Sequence, residues 1–109
     1  MQLLVISDKR VIQYLSICMS SSTTTVFTFE IEIPFDQWLG FFDSEDSYKR
    51  LSEFNIKPLY RGQSKKDPQK VIVIHQVPEG NMKKFFQKNG SWIATHGVKV
   101  STIEISDWV

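Results

Sequence analysis

Residues 70–77, KVIVIHQV, constrain the fold more than any other stretch of the chain. In an extended backbone successive side chains point to opposite sides. Val71, Val73 and Val77 therefore fall on one side, and Ile72 and Ile74 on the other. A strand that is apolar on both sides is normally covered on both. With 109 residues the chain has material for one domain, and folding at that size buries only about two-thirds of the unfolded surface. How both sides of this strand are covered is the main question the sequence raises.

The rest of the chain supplies a partial answer. From Thr24, Phe27, Phe29, Ile31 and Ile33 alternate with Thr28, Glu30 and Glu32, which predicts a strand with one buried side that ends at Pro34. Phe35, Trp38, Leu39 and Phe42 then recur at helical spacing. Asp43 or Ser44 suits an N-cap ahead of Glu45 and Asp46, with Tyr48, Leu51 and Phe54 continuing an apolar face. Residues 35–54 are thus predicted helical with a bend near Asp43, and Asn55 suits a left-handed terminating position. IKPLYRGQ, residues 56–63, reads as a second strand whose Pro58 fits a sheet edge. SKKDP turns the chain into KVIVIHQV. A second helical stretch turns Met82, Phe85 and Phe86 inward, is interrupted at Asn89-Gly90, resumes from Ser91 with Trp92 and Ile93, and stops at Gly97. Residues 98–106 form the last strand, and the shift of its apolar side between Val100 and Ile103 predicts a β-bulge. The order β-α-β-β-α-β predicts an α+β, ferredoxin-like fold: a four-stranded antiparallel sheet with the helices on one face.

Two helices cover one face only. The second apolar side of residues 70–77 then needs a second subunit, and a homodimer packed sheet to sheet is the expected assembly. Residues 1–22 form an N-terminal extension to a single domain over residues 23–109. MQLLVISDKRVIQYLSIC is not expected to be a signal peptide, because its charges lie mid-segment and no small-residue cleavage site follows. Met19, followed by SSSTTT, suits a natural start ahead of a disordered N-terminus; the alternative is a short strand and helix on the domain edge.

Charge and cysteine content exclude several functions. Lys and Arg number 13 against 12 Asp and Glu, and the only basic cluster, Lys65, Lys66 and Lys70, reads as a solvated loop rather than a nucleic-acid face. No nucleic-acid partner is expected. Cys18 is the single cysteine, which rules out an internal disulfide and a multi-cysteine metal site, and makes a reducing cytoplasm the expected location. No apolar run reaches the roughly 18–20 residues of a membrane span, so no membrane is expected. Asn89-Gly90-Ser91 matches a glycosylation sequon, read as coincidental without a secretory signal.

FDQW at the first helix, PLYRGQ in the second strand, DPQKVIVIHQ across the hairpin and KKFF in the second helix carry a resemblance. Over residues 23–108 the chain resembles the dimeric α+β barrel superfamily, which includes the antibiotic-biosynthesis monooxygenases. More narrowly, it resembles a family of small cyanobacterial proteins of unknown function. The resemblance implies a dimeric barrel and leaves the reaction open, since superfamily members range from cofactor-free oxygenases and haem-degrading enzymes to proteins without known activity. The haem-degrading members combine a first-strand asparagine with a histidine and a tryptophan. Trp92 and His96 are present here, but no asparagine lies between Thr23 and Ile33.

His75 is the leading site residue. If Phe27, Phe29 and Ile31 face the helices, Thr28 and Glu30 face the space between two sheets, and His75 is expected to meet Glu30 there. A carboxylate beside an imidazole orients one tautomer and supports acid–base work near neutral pH. The competing role for His75 is a hydrogen-bonded structural residue. Arg61 is a candidate for an anionic group of a ligand, against a salt bridge to Glu30, Glu32 or Glu104. Trp38 and Trp92 are placed in the core, and His96 at a helix end. Two histidines without supporting Asp, Glu or Cys spacing leave no metal site, and no cofactor is expected. Two functions follow. One is a structural or regulatory dimer, or a small-molecule binder, without catalysis. The other is a cofactor-free monooxygenase- or isomerase-like enzyme acting on a small organic molecule in a pocket lined by Thr28, Glu30, Arg61 and His75, with His75 and Glu30 as the acid–base pair.

Overall fold

The computed structural model describes residues 22–109. The expectations about residues 1–21, including the Met19 start and Cys18, lie outside the described residues. The chain runs β1 (Ser22–Ile31), α1 (Phe35–Phe42), α2 (Glu45–Glu53), β2 (Lys57–Gln63), β3 (Lys70–Pro78), α3 (Asn81–Thr95) and β4 (Val98–Trp108). Its four strands form one sheet in the order β2-β3-β1-β4, antiparallel throughout. This is the ferredoxin-like α+β arrangement expected from the sequence.

The register of the central pair sets the core. Phe29 lies opposite Val71 and Phe27 opposite Val73, and directly opposed residues share a face. Phe27, Phe29, Ile31, Val71, Val73 and Val77 are all buried, joined from the helices by Trp38, Leu51 and Phe85. Each such side chain stabilises the fold by about 1.5–3 kcal/mol when fully buried. The helix-covered side of β3 is therefore its odd-numbered side.

The bend expected near Asp43 is a full break into two helices. Ser44 caps α2, its side chain accepting from the Ser47 backbone N–H at 3.2 Å. Leu51 is buried as expected, but Tyr48, expected on the same apolar face, is exposed and Ser47 is buried instead. Asn55 takes the left-handed conformation at φ 57°, as its position after α2 requires. The interruption expected at Asn89-Gly90 is absent, and α3 runs unbroken through it. Asn89 is buried, donating to the Phe85 carbonyl at 3.3 Å and accepting from Arg50 at 2.8 Å, so its amide supports the helix instead of ending it. Burial in these bonds also removes Asn89 as a glycan acceptor.

The β4 bulge is present. The β1–β4 register shifts between Thr28 and Glu30, and Thr102 fills the gap: its hydroxyl accepts from Glu30 N at 2.8 Å and donates to Lys99 O at 2.6 Å. Gly97, immediately before β4, has φ 85°, and a Cβ there would lie 2.8 Å from Ile33 Cγ1. Two independent constraints thus demand glycine. Gly97→Ala is expected to lower stability by about 2 kcal/mol, whereas Gly90→Ala, with open space around it inside α3, should add about 0.5–1 kcal/mol. Urea unfolding of the two variants checks both signs.

Candidate functional site

His75 does not face the space outside the sheet. It lies directly opposite Thr25, between Val73 and Val77 on the helix-covered side, and is 4% exposed. The expected proximity to Glu30 is therefore corrected. Glu30 lies on the opposite side, paired with Lys70 in register and with Lys99 as an ion pair at 3.6 Å. The sequence shows that both sides of β3 are apolar; only the register with β1 says which side the helices take.

Aromatic rings surround the imidazole. Phe42 stacks on it at 6.0 Å and 11°, and Phe27 meets it edge-on at 5.5 Å. Trp38 stacks on Phe42 at 5.0 Å, so Trp38, Phe42 and His75 form a run of near-parallel rings from α1 to the sheet. Neither ring nitrogen of His75 has a hydrogen-bond partner among the described residues. The same ring lines a cavity of about 90 Å³ between the sheet and all three helices. Its walls include Phe29, Met82, Phe86 and Ile103, and its polar lining is confined to Ser47, His75 and His96.

Sequence reasoning missed the far wall of this cavity. Phe41, off the apolar stripe of α1, meets His96 edge-on at 4.5 Å, and His96 also packs on Trp92 at 4.6 Å. His96 caps α3 as expected, its Nδ1 donating to the Trp92 carbonyl at 2.6 Å, but it faces the cavity as well. Arg50 lies over the Trp92 ring at 4.6 Å while bonding Asn89 and Asp46, which fixes α2 against α3. The α2–α3 pairing needed to recognise this cluster is tertiary, and no local pattern encodes it.

The remaining candidates lie elsewhere. Arg61 pairs with Asp43 at 2.6 Å, tying the α1–α2 break to the edge strand, and not with Glu30, Glu32 or Glu104. Thr28 shares the uncovered face with Glu30, opposite Ile72 and Glu104. Thr28, Glu30, Arg61 and His75 are thus not brought together. Among the described residues no group of three or more His, Cys, Asp or Glu is placed to hold a metal ion, and no helix is long and apolar enough to cross a membrane.

The arrangement defines a small ferredoxin-like α+β protein with an aromatic-walled cavity against its sheet. The chain belongs to a domain family of unknown function, DUF3764, which matches residues 22–109. No curated protein matches it.

Burial pushes the His75 imidazole down from 6.5 to about 4, because its charged form loses hydration. Between those pH values the unfolded chain binds more protons than the folded one. The stability linked to His75 is therefore complete above about pH 6.5 and is lost as pH falls toward 4, by up to about 3 kcal/mol. His75→Phe keeps an aromatic ring and removes two unpartnered polar atoms. It should be more stable than wild type at pH 7 by about 1–3 kcal/mol, with the gap widening toward pH 4. Paired urea titrations at both pH values measure the difference and cancel the carboxylates common to both proteins.

Proposed function

We propose that the protein binds a small, uncharged, largely apolar molecule in the cavity beneath α1–α3, held through His75, and that it does so as a homodimer. The observation that carries the reading is a buried imidazole with two unpartnered nitrogens on the wall of an aromatic cavity. An unpartnered buried polar group costs about 1–3 kcal/mol, and a ligand polar atom offsets that cost on binding. Water suits the position less well, since an ordered buried water needs about 2–4 polar partners and the lining offers few. Among the described residues no Lys, Arg, Asp or Glu lines the cavity, so a charged ligand group would enter without a counter-ion from them and lose its hydration. At about 90 Å³ the space is below the roughly 150 Å³ apolar cavity that takes up benzene. A single ring therefore fits with adjustment of a flexible wall residue, for which unbranched Met82 is suited.

An oxidative or isomerising activity, one of those the resemblance leaves open, would be carried by the same histidine. Binding is the part the geometry supports, because Glu30 is on the other side of the sheet. Phenol is the simplest probe: it should bind in the millimolar range, shift the Met82 methyl resonance, and bind about tenfold more weakly to His75→Phe, the loss of one hydrogen bond. A probe that leaves Met82 unperturbed overturns the reading.

The dimer is supported by the sheet face that no described helix covers. Val26, Ile72 and Ile74 form its apolar centre, half-buried in a lone chain, and Tyr60 and Trp108 stand exposed at 55% and 60% on the flanking strands. The Tyr60 ring lies over Gly62, where a Cβ would come within 3.0 Å of it, so the glycine lets the aromatic lie flat on the sheet. Thr28, Glu30 and Lys99 supply polar groups to the same face. Wild type is expected to sediment as a dimer at micromolar concentration and Ile74→Glu as a folded monomer. A monomeric wild type contradicts the assembly while leaving the ligand reading intact.

A further inference from the structure

One row of residues across the helix-covered side of the sheet is more polar than its neighbours. Strand pairing sets His75 of β3 opposite Thr25 of β1, and Thr25 opposite Asp107 of β4. Opposed residues hold their Cβ atoms about 4.5–5.5 Å apart on a common face. Thr25 is 1% exposed, and its hydroxyl donates to Asp107 Oδ1 at 2.9 Å. An ionised carboxylate has no proton to return, so the single Thr25 proton is committed to Asp107. The Thr25 oxygen keeps only acceptor capacity. The adjacent neutral imidazole carries one N–H and one bare nitrogen, and both nitrogens are without partners. Of the two, only the N–H can be received by Thr25.

We propose that Asp107 and Thr25 fix the tautomer of His75, its N–H turning to Thr25 Oγ1 and its bare nitrogen facing the cavity, so that the site selects ligands that donate a hydrogen bond. The ligand class is then a small ring bearing a hydroxyl or N–H, in preference to an ether or ketone of the same size. This rests on the cavity being a ligand site, and adds which half of the hydrogen bond the protein supplies. His75 leans on Phe27 and Phe42; a bound ring takes over those aromatic contacts as the imidazole turns toward Thr25. Thr25 is a positioning residue, acting on the ligand through His75. Asp107 acts one step further back, by holding the hydroxyl proton away from the imidazole.

Pyrrole and furan test the selection, because they match in size and shape but pyrrole donates a hydrogen bond where furan only accepts one. Binding of each to the full chain, followed at the Met82 methyl, should favour pyrrole by about tenfold, one hydrogen bond's worth. Thr25→Val keeps the branched shape and removes the oxygen. It should reduce the preference to about twofold or less, while Thr25→Ser retains it. In phenol-saturated protein, ¹⁵N spectra should show the same single protonated ring nitrogen of His75 in wild type and Thr25→Ser, and an averaged pair in Thr25→Val. Asp107→Ala frees the Thr25 proton to donate and should narrow the preference as Thr25→Val does. Equal binding of pyrrole and furan to wild type, or a preference unchanged in Thr25→Val, overturns the selection while phenol binding still supports the site. Failure of phenol to bind overturns the site reading and this inference together.

Discussion

The pairing of β1 with β3 governs the rest of the structure. Setting Phe27 opposite Val73 and Phe29 opposite Val71 puts both strands' odd-numbered residues on one side. Because side chains alternate along a strand, a slip of one residue would exchange the two sides of β3 entirely. It would expose Val71, Val73 and Val77 and bury Glu30 or Lys70 against the helices. Ile72 and Ile74 would take the valines' place in that alternative, so what specifies the register is chiefly the cost of desolvating Glu30 or Lys70. The same pairing carries His75 inward with the valines, and so determines where the chemistry of this protein is located.

An inward histidine sits in tension with that core. Its ring is well matched to Phe27 and Phe42 as an aromatic disc, but its nitrogens forfeit hydration without regaining hydrogen bonds inside. A phenylalanine would meet the same neighbours without that cost. Thr25 in the same row compensates differently, satisfying its hydroxyl with Asp107 at the outer strand. One buried polar residue with a partner beside one without is the asymmetry expected of a site, where a local departure from good packing is offset by something the fold itself does not contain.

The fold was largely legible in the sequence because its signals are local: the alternation from Phe27 to Ile31, the helical spacing of Phe35, Trp38 and Phe42, the cap at Ser44, the left-handed Asn55 and Gly97. The slip between Val100 and Ile103 was readable as a bulge, although the residue that fills it, Thr102, was not. The errors arose where a tertiary partner overrides a local tendency. Asn89-Gly90 looks like a helix break until Arg50 and the Phe85 carbonyl satisfy the asparagine. The candidate site was read only in part for the same reason. His75 stood out as the lone imidazole in an apolar strand, but its side of the sheet depends on register. Phe41, Trp92 and His96 join the cavity only through the packing of α1 and α2 on α3.

The two sides of the cavity differ in how firmly they are held. The sheet side is a continuous ladder, with β3 bonded on both edges by β1 and β2. Helices α1 and α2 are instead anchored to their surroundings in part by half-exposed ion pairs, Asp43 with Arg61 and Glu53 with Lys88, each worth about 1 kcal/mol or less. The stronger attachment is the Arg50 cluster, in which one guanidinium bonds Asn89 and covers Trp92. Expansion of the cavity around a ring is therefore easier through the helix layer than through the strands, and most easily near the α1–α2 break, where Phe41 and Phe42 end one helix and Ser44 begins the next. His75, anchored on the rigid side, then supplies the polar point, and the aromatic residues of α1 form the wall that adapts to what binds.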